Sequence, residues 1–326
     1  LFRLYGVFMS GLLRFGIIGA VCTAACTLVA CGGGGGGGGS SASAGVAVAA
    51  PLPSEQGAPA LTNDIATDGR NWINYRRGQA GLAPLTENAI IDVAALGHSE
   101  YQRVNNVVTH EQTPGKQGFT GATLFDRLTA AGYTFANTNH AYGEVISATS
   151  NQNGAYMAEE LITAIYHRFV IFEPIFKEIG TGAASTASNY RYFTADFTAN
   201  NGYGPGIPAG TVAVWPYNGQ TQVAGTFFSD YEEPDPVPGA NKVGYPISVH
   251  ANITAVVNVQ AFTVHPTGGA NLEVRQLTHD VDVVTPKSAA AIVPIAPLRA
   301  GTTYEVSFVG TVDGVPVSRN WAFTTR

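Results

Sequence analysis

His110, Glu144 and His167 are the residues of this 326-residue chain whose types best suit chemistry at one shared site. Two neutral imidazoles and an acid suit a divalent ion, zinc or another, with coordination open to water. A cation held there would acidify water, and Glu144 is the candidate base that would hold or deprotonate it. With no thiolate and only His110 and His167 as firm ligands, metal binding should be weak and reversible. The alternative is a polar hydrogen-bond network lining a cleft. The short metalloprotease pattern is absent, because His110-Glu111 lacks the second histidine further on. Ser147, His167 and Asp196 can be drawn as a triad, but no nucleophile-elbow sequence surrounds Ser147. His98 reads as a helix-packing or surface residue and His140 as a loop residue behind Glu144. His250, His265 and His279 are expected at exposed strand or turn positions. Asp280, Asp282 and Asp313 lack the spacing of a calcium loop.

Separate elements must bring the three groups together. Thr62-Asn63-Asp64 offers cap chemistry for a first helix carrying Ile65, Trp72, Ile73 and Tyr75, which Gly78 and Gly81 end. Thr86-Glu87-Asn88 starts a second, with Ile90, Val93, Ala94, Leu96, Tyr101 and Val104 as its apolar stripe, running to about Asn105. A loop then carries His110. A third helix is expected over Thr120 to Gly132, and Glu144 to Ala148 reads as extended. Ala155 to Phe169 reads as one helix, with Met157, Leu161, Ile165 and Phe169 on one face and His167 near its end. Strands are expected over Phe176 to Gly182 and Tyr190 to Thr198, with Tyr190, Tyr192, Phe193 and Phe197 as core. Helices followed by late strands predict an α+β sandwich.

From Gly210 the texture changes to short strands among Pro, Val and Thr. TVAVWPYNGQTQV reads as a hairpin around Asn218-Gly219, and YEEPDPVPG as a stiff bridge. Strands are expected over Tyr245 to Ala251, Val259 to Val264, Leu272 to Leu277, Tyr304 to Val309 and Trp321 to Thr324. This spacing predicts an all-β sandwich.

Several of these stretches resemble a known family. NYRRGQAGLAPLTENAIIDVAALGHSEY is similar to the opening of the bacterial CAP (SCP-like) domain. Thr109-His110 matches its first histidine, and Tyr142-Gly143-Glu144-Val145 its Gly-Glu-Asn-Ile block, with Val145 where Asn is usual. Tyr166-His167-Arg168 and Glu178 to Gly182 match its Gly-His-Arg and Ile-Gly-Val-Gly blocks, and Phe193 to Phe197 its closing strand. The resemblance covers about residues 64 to 198. It implies an α-β-α sandwich whose cleft holds two histidines and two glutamates, with zinc or another divalent ion in some members. The second glutamate would fall near Ala164, where this chain has no acid, and Leu161 stands where tryptophan is common. LRAGTTYEVSFVGTVDGVPVSRNWAFTTR resembles the end of bacterial Ig-like domains.

The N-terminal stretch resembles a lipoprotein leader. Met9 reads as the true start, Arg14 as its positive region, and Phe15 to Ala30 as an apolar run too short to span a membrane comfortably. Leu28-Val29-Ala30-Cys31 is similar to a lipobox, which implies acylation of Cys31 and stable membrane anchoring. The three cysteines Cys22, Cys26 and Cys31 all lie here, so the folded part has no disulfide. Gly32 to Gly39 and the Ser/Ala/Pro run to residue 60 read as a flexible tether. Charged residues are 12% of the chain and its net charge is −6. Removing Arg3 and Arg14 leaves 15 basic against 23 acidic residues, about −8. That balance, with no Lys/Arg run, excludes nucleic acid as a partner class.

The reading is therefore a leader over 1–31, a tether over 32–60, a CAP domain over 61–209 and an Ig-like β domain over 210–326. The expected protein is extracytoplasmic and lipid-anchored, at the outer membrane or cell surface. Its cleft is expected to bind a small apolar, lipid-like or peptide-like ligand, while the β domain meets an envelope protein or glycan. The alternatives are a metal-assisted hydrolase of peptide or cell-wall material, and a structural envelope protein with a vestigial cleft.

Overall fold

The computed structural model describes residues 2–3, 8–10, 55–136 and 139–326, the first two stretches by backbone alone. The expected lipidation of Cys31 and the glycine run lie outside the described residues. None of the described helices is long and apolar enough to cross a membrane.

In chain order the elements are β1 (Phe2–Arg3), β2 (Phe8–Ser10), α1 (Ile65–Gln79), β3 (Thr86–Glu87), α2 (Ala89–Asn105), α3 (Leu124–Ala130), β4 (His140–Thr149), α4 (Gly154–Thr163), α5 (Ile165–Ile171), β5 (Glu178–Ser185) and β6 (Arg191–Ala199). There follow β7 (Ala213–Trp215), β8 (Gln220–Val223), β9 (Phe227–Phe228), β10 (Glu232–Glu233), β11 (Lys242–Val243), β12 (Ile247–His250), β13 (Val257–Pro266), β14 (Val274–Leu277), β15 (Ala289–Pro294), β16 (Thr303–Val312) and β17 (Val315–Thr325).

The first sheet runs in the order β2-β4-β6-β5-β3. Alternate side chains of a strand take opposite faces, so the glycines show which helix covers which face. A Cβ at Gly180 would lie 2.2 Å from the Ile91 carbonyl carbon, and one at Gly182 would lie 2.1 Å from Leu96 N. Helix α2 thus presses on the face that carries Gly180 and Gly182. On the other face, Thr181 donates to the Ala66 carbonyl of α1 at 3.0 Å, and a Cβ at Gly143 would meet Val170 of α5 at 2.8 Å. Helices on both faces of the sheet make the expected α-β-α sandwich.

The C-terminal region contains two four-stranded sheets, β14-β15-β12-β7 and β13-β16-β17-β8, and the short β9–β11 pair. Phe262, Val264, Phe308 and Phe323 pack in the same core as Ile247, Val249 and Ile292. The α+β and all-β halves are not separated by a linker. Their apolar residues form one continuous core, from Trp72 through Phe172 and Trp215 to Phe323. The Phe172 ring sits edge-on to Trp215 at 5.0 Å and to His250 at 5.5 Å. Buried Arg168 reaches across to the Pro246 carbonyl at 2.7 Å.

The structure corrects several expectations. The buried face of α2 holds Ile91, Ala94, Ala95, His98, Ser99, Tyr101 and Gln102, while Ile90, Val93 and Leu96 are exposed. The polar members stay buried because each finds a partner; Ser99 Oγ, for one, donates to the Gly182 carbonyl at 3.0 Å. The stretch read as one helix over Ala155 to Phe169 is two, broken at Ala164, whose ψ of 119° is extended. The residues around Asn218-Gly219 do not form a hairpin. β7 pairs with β12 and β8 with β17, in different sheets. Strand β15 was missed because Ala-Ala-Ala-Ile-Val-Pro lacks alternation, and all its residues are buried. The end of the expected tether is docked, since Glu55 pairs with Arg76 at 2.7 Å. His250 is buried rather than exposed and bonds Ser248 Oγ at 2.9 Å. Tyr192, Phe193 and Phe197 are core as expected, while Tyr190 is 36% exposed.

Candidate functional site

The site begins with the loop that presents His110. Gln112 fixes this loop: its backbone N–H donates to the Ala122 carbonyl at 3.0 Å, and its carboxamide oxygen accepts from Thr120 N at 2.7 Å. Its Nε2 donates to His98 Nδ1 at 3.0 Å, while His98 Nε2 donates to the Thr109 carbonyl at 2.7 Å. Burial lowers the His98 pKa to about 4, against the pull of Glu144. His98 is therefore a neutral brace beneath His110.

Glu144 projects from β4 beside that loop. Its Oε1 accepts from His110 Nδ1 at 2.8 Å, and its Oε2 accepts from Arg127 Nη2 at 2.5 Å. Arg127 Nη1 also holds the His110 carbonyl at 2.8 Å. The capping box of Thr123 and Asp126 sets the start of α3 and so aims Arg127. Gly121 is needed for this approach, because a Cβ there would lie 2.6 Å from Arg127 N.

Burial pushes the Glu144 carboxyl up, but Arg127, His98 and His110 together outweigh it and hold the group well below the usual carboxylate range. Asp196 lies directly across from Glu144 on β6. Burial and then the Glu144 charge hold Asp196 well above that range, so the proton resides on Asp196 and the negative charge on Glu144. Burial also lowers His110, although Glu144 raises it.

His167 stands on α5. Its Nδ1 donates to Glu232 Oε1 at 2.9 Å. The same carboxylate accepts the backbone N–H groups of Ile165 at 2.8 Å, Tyr166 at 2.7 Å and His167 at 3.2 Å. These amides open α5 just after the break at Ala164, where no side chain of the helix itself provides a cap.

His110 and Glu144 are joined by a hydrogen bond, whereas His167 pairs with Glu232 from α5, a helix that packs on the opposite sheet face from Glu144. Each imidazole gives Nδ1 to a carboxylate. This fixes the ring and makes Nε2 the acceptor nitrogen that a metal or ligand would have to meet. The side chains are 2% exposed for His110, 1% for Glu144 and 0% for His167, which corrects the expectation of coordination open to water. Among the described residues no group of three or more His, Cys, Asp and Glu is placed to hold a metal ion. Two imidazole nitrogens without a third protein ligand do not fit a firm zinc centre.

The triad does not form: Ser147 lies on the opposite sheet face from Asp196, since it is three residues on from that residue's cross-strand partner Glu144. Asp282 accepts from Tyr166 Oη at 2.9 Å and Thr285 Oγ1 at 2.7 Å, and Asp313 accepts from Val256 N at 2.8 Å. His140 opens β4 rather than lying in a loop, with its ring 4.1 Å from that of Phe135. Sequence reasoning missed Arg127, Gln112 and Glu232. Only Arg127 had a local signal, the Thr-x-x-Asp box before it.

The sequence profile of the cysteine-rich secretory protein family, CAP, matches residues 71–197. Among solved structures, an extracellular protein with an SCP domain from Bacillus anthracis is 24% identical over 41% of this chain, with a TM-score of 0.35. The chain spans 40% of the length of that protein. An outer surface protein of Borrelia burgdorferi is 15% identical over 40% of this chain and 90% of its own, at a TM-score of 0.34. A cysteine-rich secretory protein of Staphylococcus aureus is 15% identical over 44% of this chain and 41% of its own, at 0.32. A comparison with curated proteins gives no match. Residues 71–197, which carry His110, Glu144 and His167, are a CAP domain.

Proposed function

We propose that the protein is an extracytoplasmic, lipid-anchored CAP-domain protein that binds a small lipid-like or peptide-like ligand at His110 and His167. The observation that carries this reading is the pairing of each imidazole with a buried carboxylate, at 2.8 Å and 2.9 Å. Rings so fixed would turn Nε2 toward a hydroxyl or amide proton of such a ligand. They offer little to hydrolysis, because a general base works best with a pKa near the working pH, and Arg127 helps hold Glu144 far below it. A divalent ion bound here would find no set of three or more protein ligands among the described residues, and would be held weakly.

The anchor belongs to the same proposal. Strand β2 pairs with His140–Tyr142 beside the site, and β1 with Glu232–Glu233. Both lie in the 1–31 segment, so cleavage before Cys31 would release these two edges next to the histidines. The region over 210–326, Ig-like by its closing sequence, would meet an envelope protein or glycan.

The test is a binding and turnover screen of lipids and short peptides on wild type and on the His110→Ala, His167→Ala double variant. Saturable binding that the double variant loses, with no product formed, is expected. Turnover that the double variant abolishes would replace this reading with the hydrolase. Binding that survives in the double variant would place the ligand elsewhere.

A further inference from the structure

We propose that Glu232 is the positioning residue of the cleft: a carboxylate supplied from beyond the CAP domain fixes His167 as its Nδ1–H tautomer and so directs Nε2 to the ligand. The proposal rests on the ligand-binding reading above, but its central test needs no ligand.

The geometry is specific. Glu232 is 65 residues downstream of His167 and outside the matched family region, which ends at residue 197. Its side chain is 0% exposed. All its bonds to α5 come from donors: three backbone N–H groups and the His167 ring. A carboxylate that gathers donors can only accept from the ring, so the proton must sit on Nδ1. The break at Ala164 is part of the same device. An unbroken helix would spend the N–H groups of Ile165 to His167 on its own preceding turn, and the extended Ala164 turns them instead toward Glu232.

The segment that delivers Glu232 is held at its base. Strand β9 pairs with β11 through Phe227↔Val243 and Phe228↔Lys242. Ser229 N donates to the Asn241 carbonyl at 2.9 Å, and Ser229 Oγ to the Ala240 carbonyl at 2.9 Å. Phe227, Val237 and Val243 then share a core cluster with Ile165, Tyr166 and Phe169 of α5 and with Ala291 and Val293 of β15. The His167 ring is therefore oriented by chain that belongs to the C-terminal region.

Long-range proton–nitrogen NMR on the full chain, labelled at histidine, tests this. Wild type is expected to show His167 protonated at Nδ1 and unprotonated at Nε2. Glu232→Ala should lose that single tautomer, with mixed Nδ1 and Nε2 protonation. Glu232→Gln should restore it, because the carboxamide oxygen accepts the same proton. Where a ligand from the screen is in hand, Glu232→Ala should weaken it about tenfold or more, as loss of an orienting partner does at comparable imidazoles. A helix cap with no other role would lower the melting temperature of Glu232→Ala and leave the tautomer unchanged; that result overturns the proposal. Protonation of His167 at Nε2 in wild type also overturns it, and needs no variant to fold. A fixed tautomer in a protein that binds nothing would sustain the assignment of Glu232 while removing the ligand reading.

Discussion

Arg127 joins Glu144 and His110 into one rigid unit: one terminal nitrogen holds Glu144 Oε2 at 2.5 Å and the other holds the His110 carbonyl at 2.8 Å, with the guanidinium fully buried. Removing one partner of a buried pair leaves the other charge uncompensated, at a cost of about 3–5 kcal/mol. Arg127→Met should therefore destabilise the fold by that amount in urea denaturation and release the His110 loop. A loss below about 1 kcal/mol would show that water or another cation compensates Glu144.

The buried histidines predict acid sensitivity. Burial, aided by the Arg168 and Arg77 charges, lowers His250 to about 3, and burial lowers His98 to about 4. Both are depressed bases, so the unfolded chain binds more protons than the native state below the usual histidine pKa of about 6.5. Stability should fall as the pH drops from about 6.5, by up to about 2 kcal/mol per residue at pH 5. His250→Phe should flatten part of this fall. A melting-temperature difference between His250→Phe and wild type that is the same at pH 7 and pH 5 would contradict it.

Glu173 predicts the opposite slope at higher pH. It is fully buried, and its Oε1 accepts from Ile253 N of the β region at 2.9 Å. Burial raises its pKa to about 8, despite its backbone bonds and Arg77. The native state then holds a proton that the unfolded state has released above about pH 4.3, so this contribution to stability is lost as the pH rises toward 8. Glu173→Gln keeps an acceptor for both amides and cannot ionise. Its stability relative to wild type should improve steadily from pH 5 to pH 8. A difference independent of pH would contradict the assignment.

Close packing of α2 makes Gly182 irreplaceable. The Cβ of Gly182→Ala would meet the Leu96 backbone nitrogen at 2.1 Å. Backbone cannot yield as a flexible side chain can, so the variant should lose at least about 1–3 kcal/mol, the ordinary range for overpacking. Unchanged denaturation would mean that α2 sits further from the sheet.

The continuous core predicts one cooperative unfolding transition for residues 55 to 326. Phe172 bridges Trp215 and His250, so Phe172→Ala should lower that transition as a whole, by about 3–5 kcal/mol. Two separated calorimetric peaks in wild type would show independent domains.

Much of this was legible in the sequence, for local reasons. Asp64 and Asn88 announce α1 and α2 because each accepts a backbone N–H two or three residues on. The aromatic and β-branched residues from Tyr192 to Phe197 mark β6, a central strand buried along its whole length. The illegible parts depend on partners remote in sequence. Helix α2 buries His98, Ser99 and Gln102, which only Thr109, Gly182 and Thr194 make tolerable. The break at Ala164 is invisible locally, because its acceptor is Glu232. Glu232 itself sits among prolines in what reads as a connector. His110, Glu144 and His167 could be picked out by type and spacing, but their carboxylate pairing and burial could not.

The most direct test follows the imidazole nitrogens of His110 and His167 by NMR while the ligand from the binding screen is titrated in. The Nε2 resonances of both rings should shift together along one binding curve, with His250 unmoved. A ligand that saturates while only one of the two rings responds, or neither, would contradict a shared site.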